Sequence, residues 1–212
     1  MKSAHNGWQY EMRRDMQEIV DGVFLGPYSI SRNAVLLQSV GITHVLGILD
    51  EAESNLLRIH HPDKFIYLNL TVSDSPYQNL IQFFPQAKHF IDDALGKGGK
   101  VLVYCNGGIS RSPAFMVAYI MESMGLDYEQ AYDYVQKRRF CMNPNDAFKS
   151  QLKASVEWEP IFAARHAAQM NPLTAQDYQR KQARRRSAPS DDEDEMHEHR
   201  RVNRTMANVL LE

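Results

Sequence analysis

The sequence lacks most features that mark secreted, membrane-spanning and nucleic-acid-binding proteins. It has two cysteines among 212 residues and no CxxC pair, so it predicts neither a disulfide framework nor a zinc site. No apolar run reaches the ~18 residues of a transmembrane candidate, and the N-terminus has no apolar signal-peptide core. The formal net charge is only −2, so we expect no nucleic-acid or membrane partner. We expect a cytoplasmic or nuclear protein, in which a lone cysteine can be a reactive thiolate.

The composition changes near residue 170. Apolar residues recur in short blocks before this point, and charged residues dominate after it. The charged segment contains a basic cluster (Arg180, Lys181 and Arg184 to Arg186) and an acidic run (Asp191 to Glu195). Such blocks bury too little apolar surface to offset the entropy of ordering. We predict an N-terminal extension (residues 1–19), a globular domain (20–168) and a disordered charged tail (169–212).

The tail also carries candidate regulatory signals. Ser187 ends the segment RRRS, which resembles a site for a basophilic kinase. Ser190 precedes DDEDE, which resembles a site for an acidophilic kinase. The basic cluster is also typical of nuclear localisation signals. A solvated tail without regulation is the simpler alternative.

Strand-like and helix-like segments alternate through the middle of the chain, and helices cluster at its end. Runs rich in β-branched and aromatic residues predict strands at 22–25, 42–49, 65–72 and 101–104. Helices are predicted at 32–40, at 79–95 with a kink or restart at Pro85, at 113–124, from 127, and from 144 past Trp158. This order predicts an α/β fold, a sheet with helices on both faces.

A short loop, CNGGISR, connects the strand at 101–104 to the helix at 113–124. Ser112 is predicted to cap that helix, with Pro113 as its first residue. Two glycines let the loop curl, and backbone N–H groups curled at a helix N-terminus form an anion cradle that suits phosphate. The predicted phosphate-binding residues are Asn106, Gly107, Gly108, Ile109, Ser110 and Arg111.

The predicted cradle also contains the parts of a catalytic site. Cys105 lies at its base, where a thiolate can attack phosphorus and form a phosphocysteine intermediate. Arg111 has a planar fork that can hold two phosphate oxygens. Ser112 can hydrogen-bond the sulfur and ease its departure. Asp74 follows the strand at 65–72 and is the candidate general acid for the leaving alcohol or phenol.

Plainer interpretations exist for these residues. Cys105 could be a buried cysteine in a tight turn, although this leaves the two glycines and Arg111 without a reason. Asp74 could be a helix cap or a surface turn residue. Cys141 has alanine, not arginine, six positions later and is predicted to be a core residue.

The remaining polar candidates are predicted to be structural. The histidines at 44, 60 and 61 have no ligand spacing, so we expect no metal. Arg138 and Arg139 lie at a predicted helix end, where cations are favoured. Contact with a phosphorylated partner is the alternative role for this pair.

Three segments carry a resemblance to a known family: VYCNGGISRS, VSDSPYQNLIQFFPQA and AYDYVQKRRFCMNPNDAF. They resemble the dual-specificity branch of the cysteine-based protein phosphatases, across most of the predicted domain. More narrowly, MRRDMQEIVDGVFLGPYS, GITHVLGI and YVQKRRFCMNPN resemble the serine/threonine/tyrosine-interacting protein (STYX) group, an atypical branch of that family.

The resemblance implies a fold, an activity and partners. The fold would be a dual-specificity phosphatase-like central sheet, mostly parallel, of about five strands flanked by helices. The activity would be hydrolysis of phosphotyrosine and phosphoserine or phosphothreonine in a shallow pocket, without metal or other cofactor. The partners would be phosphorylated proteins, with members of MAP kinase pathways among the candidates.

The chain departs from the two groups it resembles at different positions. In STYX pseudophosphatases glycine replaces the loop cysteine and phosphoprotein is bound without hydrolysis, whereas this chain has Cys105. Active family members carry histidine immediately before the cysteine, and here that residue is Tyr104. Gly107 stands where the family often has alanine, which we expect to be a mild change. An active phosphatase and a phosphoprotein-binding module therefore both remain as hypotheses.

Overall fold

The computed structural model of the chain describes residues 7–53 and 57–154. Its strands are β1 (Gln17–Val20), β2 (Val23–Pro27), β3 (Ile42–Leu49), β4 (Ile66–Thr71) and β5 (Lys100–Cys105). Its α-helices are α1 (Tyr28–Ser31), α2 (Ala34–Val40), α3 (Phe84–Gly96), α4 (Arg111–Met124), α5 (Tyr128–Arg138) and α6 (Asp146–Lys153). Short 3₁₀ turns lie at Tyr10–Arg14, Glu51–Glu53 and Ile81–Phe83. The predicted α/β fold with a sheet of about five strands is confirmed.

The sheet has the order β1-β2-β5-β3-β4. Strands β2, β5, β3 and β4 are parallel, and only the pairing of β1 with β2 is antiparallel. Strand β5 therefore lies between two parallel neighbours, with Cys105 level with Pro27 of β2. Because parallel strands end at the same edge of a sheet, the loops after β3, β4 and β5 meet there.

Strand β1 was missing from the sequence prediction. Its four residues QEIV are mostly half-exposed, with only Ile19 buried, and so short a run has no clear alternation of polar and apolar residues. The boundary predicted after residue 19 falls within this strand.

Strand β5 separates two apolar cores. Val101, Val103 and Cys105 face a core formed with α3 and α4. Leu102 and Tyr104 face the other core, together with residues of α2 and β3. Helix α4 is buried from Arg111 to Met121, and each large apolar side chain buried in this way contributes roughly 1.5–3 kcal/mol. The cysteine loop is thus attached to a strand and a helix that are both deeply packed.

The helix ends follow local capping chemistry. Gly41 and Gly125 are left-handed (φ 86° and 70°) after α2 and α4, as their positions in the sequence predict. Asn33 caps α2, so this helix begins later than predicted. Pro85 lies in the first turn of α3, after the 3₁₀ turn Ile81–Phe83, so the predicted restart is confirmed. Asp127 caps α5 through a reciprocal pair of bonds with Gln130.

Several predictions lie outside the described residues. They include the extension of the last helix past Trp158 and the tail with Ser187 and Ser190. Within residues 7–53 and 57–154, no helix is long and apolar enough to cross a membrane.

Candidate active site

The loop predicted to bind phosphate begins where β5 ends. Cys105 is the last residue of β5 and is only 2% exposed. Helix α4 begins at Arg111, with Ser110 as the residue before it. The prediction that Ser112 caps this helix is therefore wrong. The prediction rested on serine before proline, a capping signal that depends on neighbouring residues in the sequence. In the fold, the Ser112 hydroxyl is buried and donates to the Cys105 sulfur instead.

Ser112 donates a hydrogen bond to Cys105 Sγ over 3.1 Å. Both side chains are buried, so water does not screen this contact. A hydroxyl donor at this distance stabilises negative charge on sulfur. This is the geometry that a departing thiolate requires.

The carbonyl groups of the loop are held from outside. Asn106 O accepts from Tyr28 N over 3.0 Å, and Ile109 O accepts from Asn143 N over 2.7 Å. Gly108 O accepts from Arg139 Nε over 2.7 Å. In a trans peptide the N–H group points opposite to the C=O group, and the structure has no cis peptide among its described residues. The N–H groups that follow these three carbonyls therefore point toward the inside of the loop, where an anion would lie.

The structure requires glycine at position 108 but not at position 107. Gly108 is left-handed (φ 64°), and a Cβ there would lie 2.6 Å from Gly26 O and 2.7 Å from Arg139 Nη2. Gly107 has no such restriction, because the nearest atoms to an added Cβ belong to the Ile109 side chain, at 3.3 Å or more. Alanine at position 107, as in many relatives of the resembled family, is therefore compatible with this loop.

Arg139 is the outer support of the loop. It is fully buried, and besides Gly108 O it donates to Asp15 O over 2.9 Å, to Arg13 O over 3.1 Å and to the Gln17 side chain. Burial lowers the pKa of this guanidinium. Its predicted alternative role, contact with a phosphorylated partner, is wrong because its donors are already occupied inside the protein. The neighbouring Arg138 instead lies over the Tyr134 ring, 3.6 Å from the centroid.

Arg111 faces the inside of the loop and is paired with a carboxylate that the sequence analysis missed. Its Nη1 and Nη2 donate to Glu53 Oε2 and Oε1 over 2.7 and 2.9 Å. Burial opposes ionisation of Glu53, but hydrogen bonds from Arg111, Asp50 and Asn106 outweigh it and lower the pKa of the carboxyl. Burial likewise opposes the charge of Arg111, and Glu53 outweighs it and raises the pKa of the guanidinium.

The Nε of Arg111 differs from its two Nη atoms. It is buried and has no hydrogen-bond partner among the described residues. Burying a donor without a hydrogen-bond partner costs about 1–3 kcal/mol. The buried Nε–H group therefore indicates a place where a ligand supplies an acceptor. Nη1 and Nη2 bond Glu53, so Nε is the donor available to a phosphate oxygen.

Asp74 lies at the mouth of the loop. Its Oδ1 accepts hydrogen bonds from Ser110 Oγ and Asn145 Nδ2, both over 2.8 Å. Its Oδ2 lies 4.0 Å from Arg111 Nε, and the side chain is 39% exposed. The structure therefore brings the predicted acid next to the predicted phosphate-binding arginine, within reach of a molecule entering from solvent.

Tyr104 does not face the site. Successive side chains of a strand point to opposite faces, so Tyr104 lies in the core opposite Cys105. Its ring centroid is 6.0 Å from that of Tyr28, and burial raises the pKa of its phenol. Because the neutral phenol lies on the opposite face of the sheet, it makes no direct contact with the Cys105 sulfur. It can affect the sulfur only through the position of the backbone.

The histidines make structural contacts. His44 is buried beside Thr43, His60 lies 2.8 Å from the Tyr28 hydroxyl, and His61 contacts Arg32 O. In the part of the chain that the structure describes, no group of three or more His, Cys, Asp or Glu side chains could hold a metal ion. Cys141 is only half-buried, so the prediction of a core cysteine is wrong, since the turn after α5 reaches the surface.

Comparison with known proteins agrees with this geometry. The family described as "Dual specificity phosphatase, catalytic domain" matches residues 23–157, which is more than half of the chain. The human serine/threonine/tyrosine-interacting protein is 50% identical over 169 residues, covering 78% of this chain and 74% of the relative. Dual specificity protein phosphatase 1B of Arabidopsis thaliana is 37% identical over 140 residues, covering 66% of this chain and 81% of the relative.

A solved structure gives the same result. The crystal structure of human tyrosine phosphatase-like serine/threonine/tyrosine-interacting protein matches with a TM-score of 0.66 and 50% identity, covering 70% of this chain and 98% of that one. By its sequence, its sheet and its family match, this chain belongs to the dual-specificity phosphatase family and is an atypical member similar to the serine/threonine/tyrosine-interacting proteins.

Proposed function

We propose that this chain is a phosphoprotein phosphatase that acts on phosphotyrosine and on phosphoserine or phosphothreonine through a phosphocysteine intermediate. The observation that carries the proposal is the Nε of buried Arg111, which has no hydrogen-bond partner in the part of the chain that the structure describes. It lies beside a loop whose carbonyls are held from outside, with Cys105 at the start of the loop. An acceptor of phosphate geometry and a thiolate nucleophile would meet at this point.

Two steps account for hydrolysis with the side chains present. In the first, Cys105 Sγ forms a bond to phosphorus, the bond to the leaving oxygen breaks, and Asp74 gives that oxygen its proton. In the second, water attacks the phosphocysteine, Asp74 takes a proton from the water, and the sulfur–phosphorus bond breaks. The Ser112 hydroxyl, 3.1 Å from the sulfur, would stabilise the departing thiolate.

The position of Tyr104 favours an enzyme over a pure binder. The residue that differs from the histidine of active family members lies on the face opposite Cys105. Cys105, Arg111 and Asp74 all remain at the carboxyl edge of the sheet, with Ser110 linking the loop to the acid. We therefore expect the tyrosine to slow the reaction rather than abolish it.

A second candidate function is phosphoprotein binding without turnover. It is supported by the 50% identity to relatives whose name describes them as interacting proteins. The phosphorylated partner would use the same loop and the same Arg111 donor. Members of MAP kinase pathways are candidates for substrate or partner under either proposal.

Hydrolysis of a phosphotyrosyl peptide by wild type, Cys105→Ser and Asp74→Ala separates the two functions. If the chain is a phosphatase, the rate of hydrolysis should fall at least ~10³-fold in Cys105→Ser and about 10²–10⁴-fold in Asp74→Ala. The binder predicts that wild type is no faster than Cys105→Ser. It further predicts that Cys105→Ser binds the phosphopeptide as tightly as wild type, and that Arg111→Met does not bind it.

We also propose that the protein is present in the cytoplasm, the nucleus or both, with the basic cluster in the tail directing nuclear entry. Deletion of residues 175–212 in a fluorescently tagged protein tests this proposal. Loss of the nuclear fraction is the expected result, and an unchanged distribution contradicts it.

A further inference from the structure

Asn145 connects three parts of the site through three separate bonds. Its Oδ1 accepts from Phe148 N over 2.9 Å and so caps helix α6. Its backbone N–H donates to Ser110 Oγ over 3.1 Å. Its Nδ2 donates to Asp74 Oδ1 over 2.8 Å. Capping needs only the first of these bonds.

The bonds from Asn145 fix the direction of the Ser110 hydroxyl. Because Ser110 Oγ accepts the backbone N–H of Asn145, its own hydrogen is directed elsewhere, and the acceptor is Asp74 Oδ1 at 2.8 Å. Two donors, from Ser110 and Asn145, thus converge on one oxygen of Asp74.

This convergence makes the two oxygens of Asp74 unequal. Oδ1 has two donors as neighbours, so a proton on that oxygen would compete with both. Oδ2 is turned toward Arg111 Nε, at 4.0 Å. The proton of a protonated Asp74 therefore belongs on Oδ2, the oxygen that is turned toward Arg111.

We propose that Asn145 is a positioning residue for Asp74. With Ser110, its side-chain amide holds the carboxyl so that Oδ2 presents the proton to the leaving oxygen of the substrate. This inference rests on the proposed phosphatase function and assigns no chemistry to Asn145 itself. Asparagine suits the position because it combines an acceptor for the helix cap with a donor for the carboxylate.

The test is the substitution Asn145→Ser in the full chain, measured on two aryl phosphates. Serine remains a good helix cap but has no amide to reach Asp74. Protonation of the leaving group matters for a phenolate that leaves poorly and little for a nitrophenolate that leaves well. We expect kcat/KM, which reports formation of the phosphocysteine and not its hydrolysis, to fall about 10-fold on the poor leaving group and less than about 2-fold on the good one, because misplacement costs less than removal of the acid.

The chain offers a matched control in Asn33. It caps α2 as Asn145 caps α6, with Oδ1 accepting from Leu36 N over 3.0 Å. Asn33→Ser should change the thermal stability about as much as Asn145→Ser and leave kcat/KM unchanged on both substrates. An equal loss of kcat/KM on both substrates, or no loss, with Asn145→Ser would overturn the inference.

A double substitution isolates the route through Asp74. Asp74→Asn keeps the shape of the side chain and removes the proton, so adding Asn145→Ser should cause no further loss of kcat/KM on the poor leaving group. A further loss equal to that in wild type would show that Asn145 acts by another route. A wild type no faster than Cys105→Ser would overturn the phosphatase proposal and this inference together, whereas an active wild type with unaffected Asn145→Ser overturns this inference alone.

Discussion

Two buried arginines hold the cysteine loop from opposite sides, with different kinds of partner. Arg139, outside the loop, donates to backbone carbonyls and to one neutral amide side chain. Arg111, inside the loop, pairs with the Glu53 carboxylate and keeps a buried Nε that has no hydrogen-bond partner within residues 7–53 and 57–154. Their exposures are nearly the same, at 0% and 4%, so burial does not distinguish them.

The partners distinguish them. A guanidinium whose donors are all occupied by the fold has no capacity left for a ligand, and its contribution is the shape of the loop. A guanidinium with a buried donor that makes no hydrogen bond is destabilised until a ligand supplies an acceptor. Arg139 is therefore expected to control stability and Arg111 to control binding and turnover of phosphate.

The largest effect is expected inside the loop. Arg111→Met removes the guanidinium whose Nε is the donor proposed for the phosphate, and we expect kcat/KM on a phosphotyrosyl peptide to fall about 10³-fold or more, as for arginines that stabilise phosphoryl transfer. Glu53 keeps its bonds from Asp50 N and Asn106, so the melting temperature should change much less than activity does. Enzyme kinetics and differential scanning fluorimetry on the same preparation measure kcat/KM and the melting temperature. Retained turnover in this variant would show that Arg111 is not a catalytic residue.

Substitution of Arg139, outside the loop, is expected to lower stability. Arg139→Met leaves the buried Gly108 O and the partly buried Arg13 O and Asp15 O without this donor and removes a fully buried side chain, so we expect the free energy of unfolding to fall by about 3–5 kcal/mol. Denaturant unfolding measures this loss. Arg138→Met is the matched control, because that side chain is exposed and lies on the Tyr134 ring; it should change stability by less than about 0.5 kcal/mol. Equal effects of the two substitutions would contradict the assignment of Arg139.

The two loop glycines differ in the space that surrounds them. Gly108→Ala places a Cβ against Gly26 O and Arg139 Nη2 in a left-handed conformation, and we expect a loss of about 1–3 kcal/mol in unfolding free energy together with reduced turnover. Gly107→Ala, its matched control, meets the Ile109 side chain and should alter both by little. Urea unfolding and initial rates of the pair check this; a Gly107 variant as damaged as the Gly108 variant would contradict the geometry.

Local signals were enough to predict most of the fold and part of the site. The strands β3 and β5, the stops at Gly41 and Gly125 and the loop after Cys105 follow from periodicity and capping, which depend on neighbours in sequence. Ser112 shows the limit of this reasoning, because a local capping signature gave way to a tertiary contact with sulfur. Strand β1 was too short to produce a pattern.

The supports of the site lie far away in sequence and could not be read from spacing. Glu53 is 58 positions from Arg111, and Arg139 is 31 positions from Gly108. Asp74 was predicted because residues that follow parallel strands gather at one edge of the sheet. The same rule, applied to the end of β3, would have pointed to the acidic segment that contains Glu53. Arg139 had no comparable signal, since only the fold brings the end of α5 to the loop.

The smallest expected effect is that of Glu53→Gln, and it depends on pH. The pKa of Glu53 in the folded protein is lowered from its ordinary value of 4.5, so its ionised form stabilises the fold above that value, and this contribution is lost as pH falls through the lowered pKa. Glutamine keeps an acceptor for Arg111 but loses the charge, so we expect a loss of about 1–2 kcal/mol near pH 7 that shrinks toward zero in acid. Urea unfolding of both proteins at pH values from about 3 to about 7, on both sides of the ordinary carboxyl pKa, measures the difference. Glu51→Gln is the control, since Glu51 is exposed in the same 3₁₀ turn; a difference for Glu53→Gln that stays constant with pH would mean that the Glu53 charge does not stabilise Arg111.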